Sequence, residues 1–263
     1  MGAFSGKVAL ITGGARGIGR ETALKLASEG ARVAICDLGD ARHDISANAY
    51  ALAKGSDIVE TTRLVTEAGG ECIPLTADVR SSTQLKNVAG SVIERYGRID
   101  ILATCAGISG FFNIHDMTDA NWQGIIDVNL TGVANAMRAV VPHMISNHYG
   151  RIVVVGSLAA RRGTAGNSPY SASKWGLIGL VKSAALELES KGITVNIVHP
   201  GPVDTMMNNN PAVIAWKGKP PAPGELIPPS AIAEGIAFLA SDAARHISGS
   251  ELDIAESRAA TWN

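Results

Sequence analysis

The chain has 263 residues, 46% of them apolar and 18% charged, with a formal net charge of −1. That length suits one large α/β domain, and the composition excludes a disordered or fibrous chain. A balance so near neutral offers no basic face for nucleic acid or an anionic membrane, and no apolar run reaches the ~18 residues of a membrane span. The first residues show no basic stretch leading into an apolar core and cleavage site, so a cytoplasmic protein is expected. Cys36, Cys72 and Cys105 are widely spaced, without a CxxC pair, and read as reduced, buried small hydrophobes. The six histidines show no metal-ligand spacing, and no metal is expected.

In chain order, short β-branched runs fall at 8–11, 32–36, 71–75, 99–103, 151–155 and 193–198, with a last short strand near 250–254. They lack strict alternation, as do strands buried on both faces of a parallel sheet. Helical patterns lie between them, at 17–29, 57–68, 82–96, 119–146, 169–190 and 230–241. Strand–helix–strand alternation predicts right-handed crossovers. The expected fold is therefore α/β: a doubly wound (Rossmann), mostly parallel seven-stranded sheet with helices on both faces, forming a single domain over residues 1–263. Two segments break the rhythm, 38–56, with a possible short helix around Ala47–Ala53, and 202–229, rich in Pro, Asn and Gly. Irregular segments this long inside a compact domain are usually functional lids or disordered.

The first strand runs into Thr12-Gly-Gly-Ala-Arg-Gly-Ile-Gly19 and then a helix. Glycines there let the backbone approach a pyrophosphate, and the helix N-terminus supplies free N–H groups. Gly13, Arg16, Gly17, Ile18 and Gly19 are thus candidate cofactor contacts. Asp37 closes the second strand, where a carboxylate accepts from ribose hydroxyls and repels a 2′-phosphate, which favours NAD over NADP. Arg16 and Arg42 are the counterweight, since either could meet a phosphate.

Tyr170 and Lys174 lie four apart in a helical segment and share one face. A nearby ammonium favours the ionised phenol, so Tyr170 is expected to have a lowered pKa suited to proton transfer. Ser157 follows the fifth strand, at the carboxyl edge where open α/β sheets bind ligands. Its hydroxyl is expected to hold a substrate oxygen.

Over nearly its whole length the chain resembles the short-chain dehydrogenase/reductase family. The motifs are Thr12–Gly19, Asp78-Val79, Ala106-Gly107, Asp127-Val-Asn-Leu130, Gly156-Ser157, Tyr170-Ser-Ala-Ser-Lys174 and Pro200-Gly-Pro-Val-Asp-Thr205. The resemblance implies a catalytic tetrad of Asn129, Ser157, Tyr170 and Lys174. It implies that Asp78 and Val79 contact an adenine, that the cofactor passes over Ala106 and Gly107, and that Lys174, beside Tyr170, holds the nicotinamide ribose. In the Pro200–Thr205 motif, Val203 and Thr205 would hold the carboxamide. It also implies a homotetramer with the 82–96 and 119–190 helices at the contacts.

Three departures stand out. Thr104-Cys-Ala-Gly107 replaces the common Asn-Asn-Ala-Gly, and Ser248–Glu256 lacks the usual Asp-Gly-Gly ending. The extra length after Asp37 resembles the carveol dehydrogenase-like, mycofactocin-associated subgroup, which holds NAD without ready exchange. An insertion covering the adenosine half is therefore expected, with a surface loop of no catalytic consequence as the alternative.

On the substrate side, Ile108, Phe111, Phe112, Leu158, Ala159, Met206, Met207, Val213, Ile214 and Trp216 are largely apolar. They predict a hydrophobic, uncharged secondary alcohol or ketone, terpenoid, cyclic or aromatic. Arg161 and Arg162 are expected as a solvated surface pair. The expected activity is alcohol–ketone interconversion with NAD(H). The alternatives are an NADP-dependent biosynthetic ketoreductase and a non-catalytic NAD-sensing protein. A sugar-nucleotide epimerase would need a larger C-terminal region.

Overall fold

A computed structural model of the chain describes residues 2–40, 51–209, 211–222 and 224–259, and within them all side chains except those of Ala212, Trp216, Lys217 and Ala259. Its strands are β1 (Val8–Thr12), β2 (Arg32–Asp37), β3 (Glu71–Thr76), β4 (Ile101–Thr104), β5 (Gly150–Val155), β6 (Ile193–Pro200) and β7 (Glu251–Ile254). They form one seven-stranded sheet in the order β3-β2-β1-β4-β5-β6-β7, and every neighbouring pair is parallel. This is the doubly wound α/β fold expected. The helices are α1 (Gly17–Ser28), α2 (Gly55–Glu67), α3 (Ser82–Tyr96), α4 (Asp119–Ile126), α5 (Gly132–Ser146), α6 (Ser168–Leu188), α7 (Pro211–Lys217) and α8 (Pro229–Ala240).

Successive strand residues point to opposite faces, and in this chain both faces are apolar. Val8 and Leu10 join one core cluster with Leu85 and Val88 of α3, Val140 of α5 and Val181 of α6. Ala9 and Ile11 join a second with Leu26 of α1, Ile58 of α2 and Ile236 of α8. That two-sided burial explains the unbroken apolar runs. Local signals set the helix ends: the Ser81 hydroxyl accepts from the Gln84 amide at the start of α3, and Gly97 closes it at φ 81°.

Two of the expected segments are subdivided. The helical pattern over 119–146 divides into α4, a π turn over Asp127–Thr131, and α5. A π turn closes through an i→i+5 bond, so it breaks the 3.6-residue pattern locally and re-aims the side chains it carries, here the fully buried Asn129. Within 202–229, α7 interrupts the irregular chain. The possible helix around Ala47–Ala53 lies mostly outside the described residues, and its described part, Ala51–Ala53, is not helical. No described helix is long and apolar enough to cross a membrane.

Strand order reverses between β1 and β4, and in open α/β sheets the crevice beyond the carboxyl ends of such strands is where ligands bind. Leu26, fully buried between α1 and the sheet, should lose about 2–5 kcal/mol of unfolding free energy as Leu26→Ala. Val59→Ala, on an exposed position of α2, should stay within about 0.5 kcal/mol in the same denaturant titration.

Candidate active site

The cleft at this edge begins with the turn after β1. Gly13 has φ +70°, and a Cβ there would sit 2.5 Å from the Ala106 amide nitrogen, so the loop after β4 passes directly against it. A Cβ at Gly19 would fall 2.0 Å from the Gly13 carbonyl oxygen, so only glycine lets α1 start this close to β1. Arg16, Gly17, Ile18 and Gly19 line the cleft. The first turn of α1 has neither a capping side chain nor an acidic residue, which leaves its N–H groups and positive dipole end available to an anion.

Arg20 braces this turn, and the motif reading missed it. Its Nε and Nη2 donate to the Ala15 carbonyl at 3.2 and 2.7 Å, its Nε also donates to Thr61 Oγ1 at 2.9 Å, and Thr61 Oγ1 donates to the same carbonyl at 2.7 Å. Nothing in local sequence marks Arg20, because its partner Thr61 lies on a different helix.

Asp37 lines the cleft at the end of β2. Its Oδ2 accepts from the Ala15 amide at 3.0 Å and its Oδ1 from the Leu38 amide at 2.8 Å. Burial pushes the carboxyl above its usual range, against the pull of these two amides and of Arg16. Arg16 Nη2 donates to the Ala51 carbonyl at 2.5 Å, and Leu52 and Ala53 line the cleft beside it. The described end of the insertion therefore reaches the cleft wall near Asp37. Arg42 and Tyr50 lie outside the described residues.

Asp78 and Val79 also line the cleft, as do Ala106, Gly107, Pro200, Val203 and Thr205. Arg80 donates to the Asp78 carboxylate through Nε and Nη2 at 2.9 and 2.7 Å, while Asn135 Nδ2 donates to the Val79 carbonyl at 3.0 Å. The segment after β6 closes on the glycine turn: a side chain at Gly17 would meet Thr205 Cγ2 at 3.2 Å. A turn shaped for backbone approach, uncapped helix amides and a carboxylate at the end of the neighbouring strand together fit a dinucleotide.

The four candidate catalytic residues come from two elements and one loop: Asn129 from the π turn, Tyr170 and Lys174 from α6, and Ser157 from the loop after β5. Lys174, one helical turn beyond Tyr170 on α6, is buried, donates from Nζ to the Val155 carbonyl at 2.9 Å, and lies 5.6 Å from the Tyr170 ring centroid. Ser157 follows Val155, and its Oγ accepts from the Ala159 amide at 3.1 Å and faces the Tyr170 hydroxyl. Asn129 accepts from the Ile108 amide at 2.8 Å and donates to the Ile108 carbonyl at 2.9 Å and to Ser173 Oγ at 3.1 Å. It thereby joins the loop after β4 to α6. A side chain at Gly107 would come within 3.5 Å of Asn129 Oδ1 and 3.7 Å of Lys174 Nζ, so both groups border the same space.

Burial lowers Lys174 to about 8. The Tyr170 phenol, expected low, instead lies above its ordinary value because burial outweighs the neighbouring Ser157 hydroxyl. Desolvation of a phenolate exceeds what the chain's own groups return. Burial also raises the thiols of Cys36 and Cys105 to about 12 and of Cys72 to about 11, which leaves them unreactive. Among the described residues no group of three His, Cys, Asp or Glu side chains is set to hold a metal ion.

Ser157 and Tyr170 line a second lobe as well, together with Phe111, Leu158, Ala159, Met207 and Val213. Ile108 and Met206 line the first lobe instead. Of the other described candidates, Ile214 lines neither, and Phe112 lines neither but forms a β-bridge with Asn167. Of the expected solvated pair, Arg162 is exposed and Arg161 is not. Arg161 binds Glu251 at 2.5 Å and Asp253 at 3.0 Å, whereas Arg162 lines the second lobe. The β7 carboxylates that claim Arg161 are about 90 positions away in sequence.

Residues 7–212 match the family model for short chain dehydrogenases. An uncharacterised NAD-dependent oxidoreductase of Mycobacterium tuberculosis is 35% identical over 266 residues, covering 96% of each chain. A (−)-trans-carveol dehydrogenase of Rhodococcus erythropolis is 40% identical over 212 residues, covering 80% of this chain and 76% of its own. The crystal structure of carveol dehydrogenase from Mycobacterium avium in complex with NAD superposes with a TM-score of 0.90 at 34% identity, covering 97% of this chain and 98% of that one.

The buried ammonium has a measurable signature. The unfolded chain keeps the Lys174 proton to about 10.5 and the folded chain only to about 8, so between those values the unfolded state binds more protons. Stability at this position therefore rises with pH. Measured by denaturant unfolding, the advantage of the parent protein over Lys174→Met should grow between pH 8 and 10, by up to about 1.4 kcal/mol per unit. A flat or shrinking difference would contradict an ammonium held out of water.

Proposed function

The chain belongs to the short-chain dehydrogenase family, and from that premise we propose that it interconverts a hydrophobic secondary alcohol and its ketone with NAD(H), Tyr170 serving as general acid and base. The observation that carries this reading is the meeting of Ser157 and Tyr170 at the junction of two lobes, one built for a dinucleotide and one mostly apolar, with Lys174 beneath them. Bound NAD would supply the hydride acceptor and, when oxidised, a positive charge that lowers the phenol.

The chain's own groups do the rest. Ser157 Oγ and the Tyr170 hydroxyl hold the substrate oxygen. In reduction Tyr170 gives up the proton that burial makes it keep, and in oxidation it takes one from the alcohol. Lys174, charged below about 8, favours the phenolate. Asn129 keeps the loop after β4 and α6 in register around that path. Phe111, Leu158, Met207 and Val213 exclude water and favour a cyclic, terpenoid-like substrate. The carveol dehydrogenase similarity points the same way.

Asp37 supports NAD over NADP, because a 2′-phosphate would meet a carboxylate already drawn in by two amides. Arg16, the counterweight, is engaged by Ala51. Leu52 and Ala53 at the wall support an insertion that covers the adenosine half. Trp175 and Leu186, exposed on α6, support the homotetramer.

Tyr170→Phe should lower kcat ~100- to 10,000-fold while NAD affinity by calorimetry changes little; comparable turnover would remove the assignment of the proton donor. Asp37→Ala should narrow the preference for NAD over NADP in the same titration. An unchanged ratio would show that discrimination lies elsewhere.

A further inference from the structure

Behind Ser157 lies a buried histidine that the reaction scheme above does not use. His199, on β6, is fully buried. It packs so closely against Gly156 that a Cβ there would fall 2.5 Å from His199 Nδ1. Glycine at 156 is therefore what admits the imidazole. Nδ1 lies 3.2 Å from the Ser157 amide nitrogen and 3.0 Å from the Ser157 carbonyl oxygen, and Nε2 lies 3.2 Å from Glu251 Oε2 on β7.

Glu251 belongs to the C-terminal segment that departs from the family's usual ending. Burial works to raise its carboxyl, but Lys182, Arg161 and His199 outweigh it and hold the group below the usual range. Arg161 Nη1 lies 2.5 Å and Lys182 Nζ 2.9 Å from this carboxylate. Burial and the Arg161 charge keep His199 neutral against the opposite pull of the Ser157 backbone, Asp253 and Glu251.

A neutral imidazole carries one N–H, and a carboxylate only accepts. A proton on Nδ1 would leave the Nε2 lone pair facing Glu251 Oε2, two acceptors in contact. A proton on Nε2 satisfies Glu251 and turns Nδ1 into an acceptor, whose donor is the Ser157 amide; the Ser157 carbonyl, also near Nδ1, then relies on the Ala160 amide, which donates to it at 2.9 Å. The ionised carboxylate thus selects the tautomer, and the tautomer decides whether the Ser157 amide has a partner.

We infer that His199 is a positioning residue for Ser157, and that Glu251, held by Arg161 and Lys182, sets its tautomer. The hydrogen bond anchors the Ser157 main chain where β5 ends, and with it the direction of Oγ between the two lobes. The inference rests on Ser157 holding the substrate oxygen, as proposed above.

The first test needs no turnover. In protein labelled with 15N-histidine, long-range 1H–15N spectra of the full chain should show His199 protonated at Nε2 and bare at Nδ1; protonation at Nδ1 would overturn the inference. Glu251→Ala should shift His199 toward the Nδ1–H form, and Glu251→Gln, which keeps an acceptor, should restore the original form. An unshifted tautomer in Glu251→Ala would remove the role given to Glu251.

In kinetics, His199→Leu should lower kcat for alcohol oxidation ~10- to 100-fold with NAD affinity by calorimetry unchanged. His199→Asn, whose Oδ1 can stand in for Nδ1, should recover most of the loss. Unchanged kcat in His199→Leu, with Ser157→Ala inactive, would overturn the positioning role and leave the proposed function standing. An active Ser157→Ala would overturn that function instead. Should His199→Leu fail to fold, the tautomer of the parent protein and of Glu251→Ala still decides.

Discussion

The site turns on one buried hydrogen bond, from the Lys174 ammonium to the Val155 carbonyl. An ammonium taken out of water needs acceptors, and this one is met by the last residue of β5. The bond ties α6 to the strand end. Tyr170, one helical turn back on the same face of α6, is thereby brought beside Ser157, two residues past Val155. Sliding the helix against the strand would strand the ammonium and part the phenol from the hydroxyl together. Burial is the common cause of both pKa shifts here, lowering the lysine and raising the tyrosine.

The glycine-turn end of the cleft obeys a different constraint, close backbone approach. Gly13 and Gly19 have no room for a Cβ, so strand, loop and helix converge there. What stiffens the turn is a set of hydrogen bonds on the Ala15 carbonyl from Arg20 and Thr61, which ties α1 to α2. Asp37 is held from the other side by the Ala15 amide. One residue of the glycine turn thus takes bonds from both directions, which couples the position of the Asp37 carboxylate to that turn.

Between these ends, the strand carboxyl edge collects loops that are distant in sequence. Asn129 reaches Ile108 and Ser173 from a π turn. Arg161, which follows Ser157 by four positions, is drawn to β7 by Glu251 and Asp253. Its neighbour Arg162 is left to line the second lobe, so that lobe is less uniformly apolar than Phe111, Leu158 and Met207 alone suggest.

By itself the sequence determined the parallel sheet, the glycine turn after β1, Asp37 at the end of β2 and the Tyr170–Lys174 pair. Each is a local signal: strands such as Val8–Thr12 are apolar at consecutive positions because both sheet faces are covered, a glycine turn carries its conformation in its composition, and residues four apart on a helix must share a face. Tertiary structure alone decided the rest. The π turn that buries Asn129 is invisible to a 3.6-residue pattern. Arg20 and His199 act through partners on other elements, Thr61, and Ser157 with Glu251. The phenol's raised pKa depends on how much water packing removes. Proximity between distant segments and the dielectric around a group belong to the packed molecule, and no window along the chain contains them.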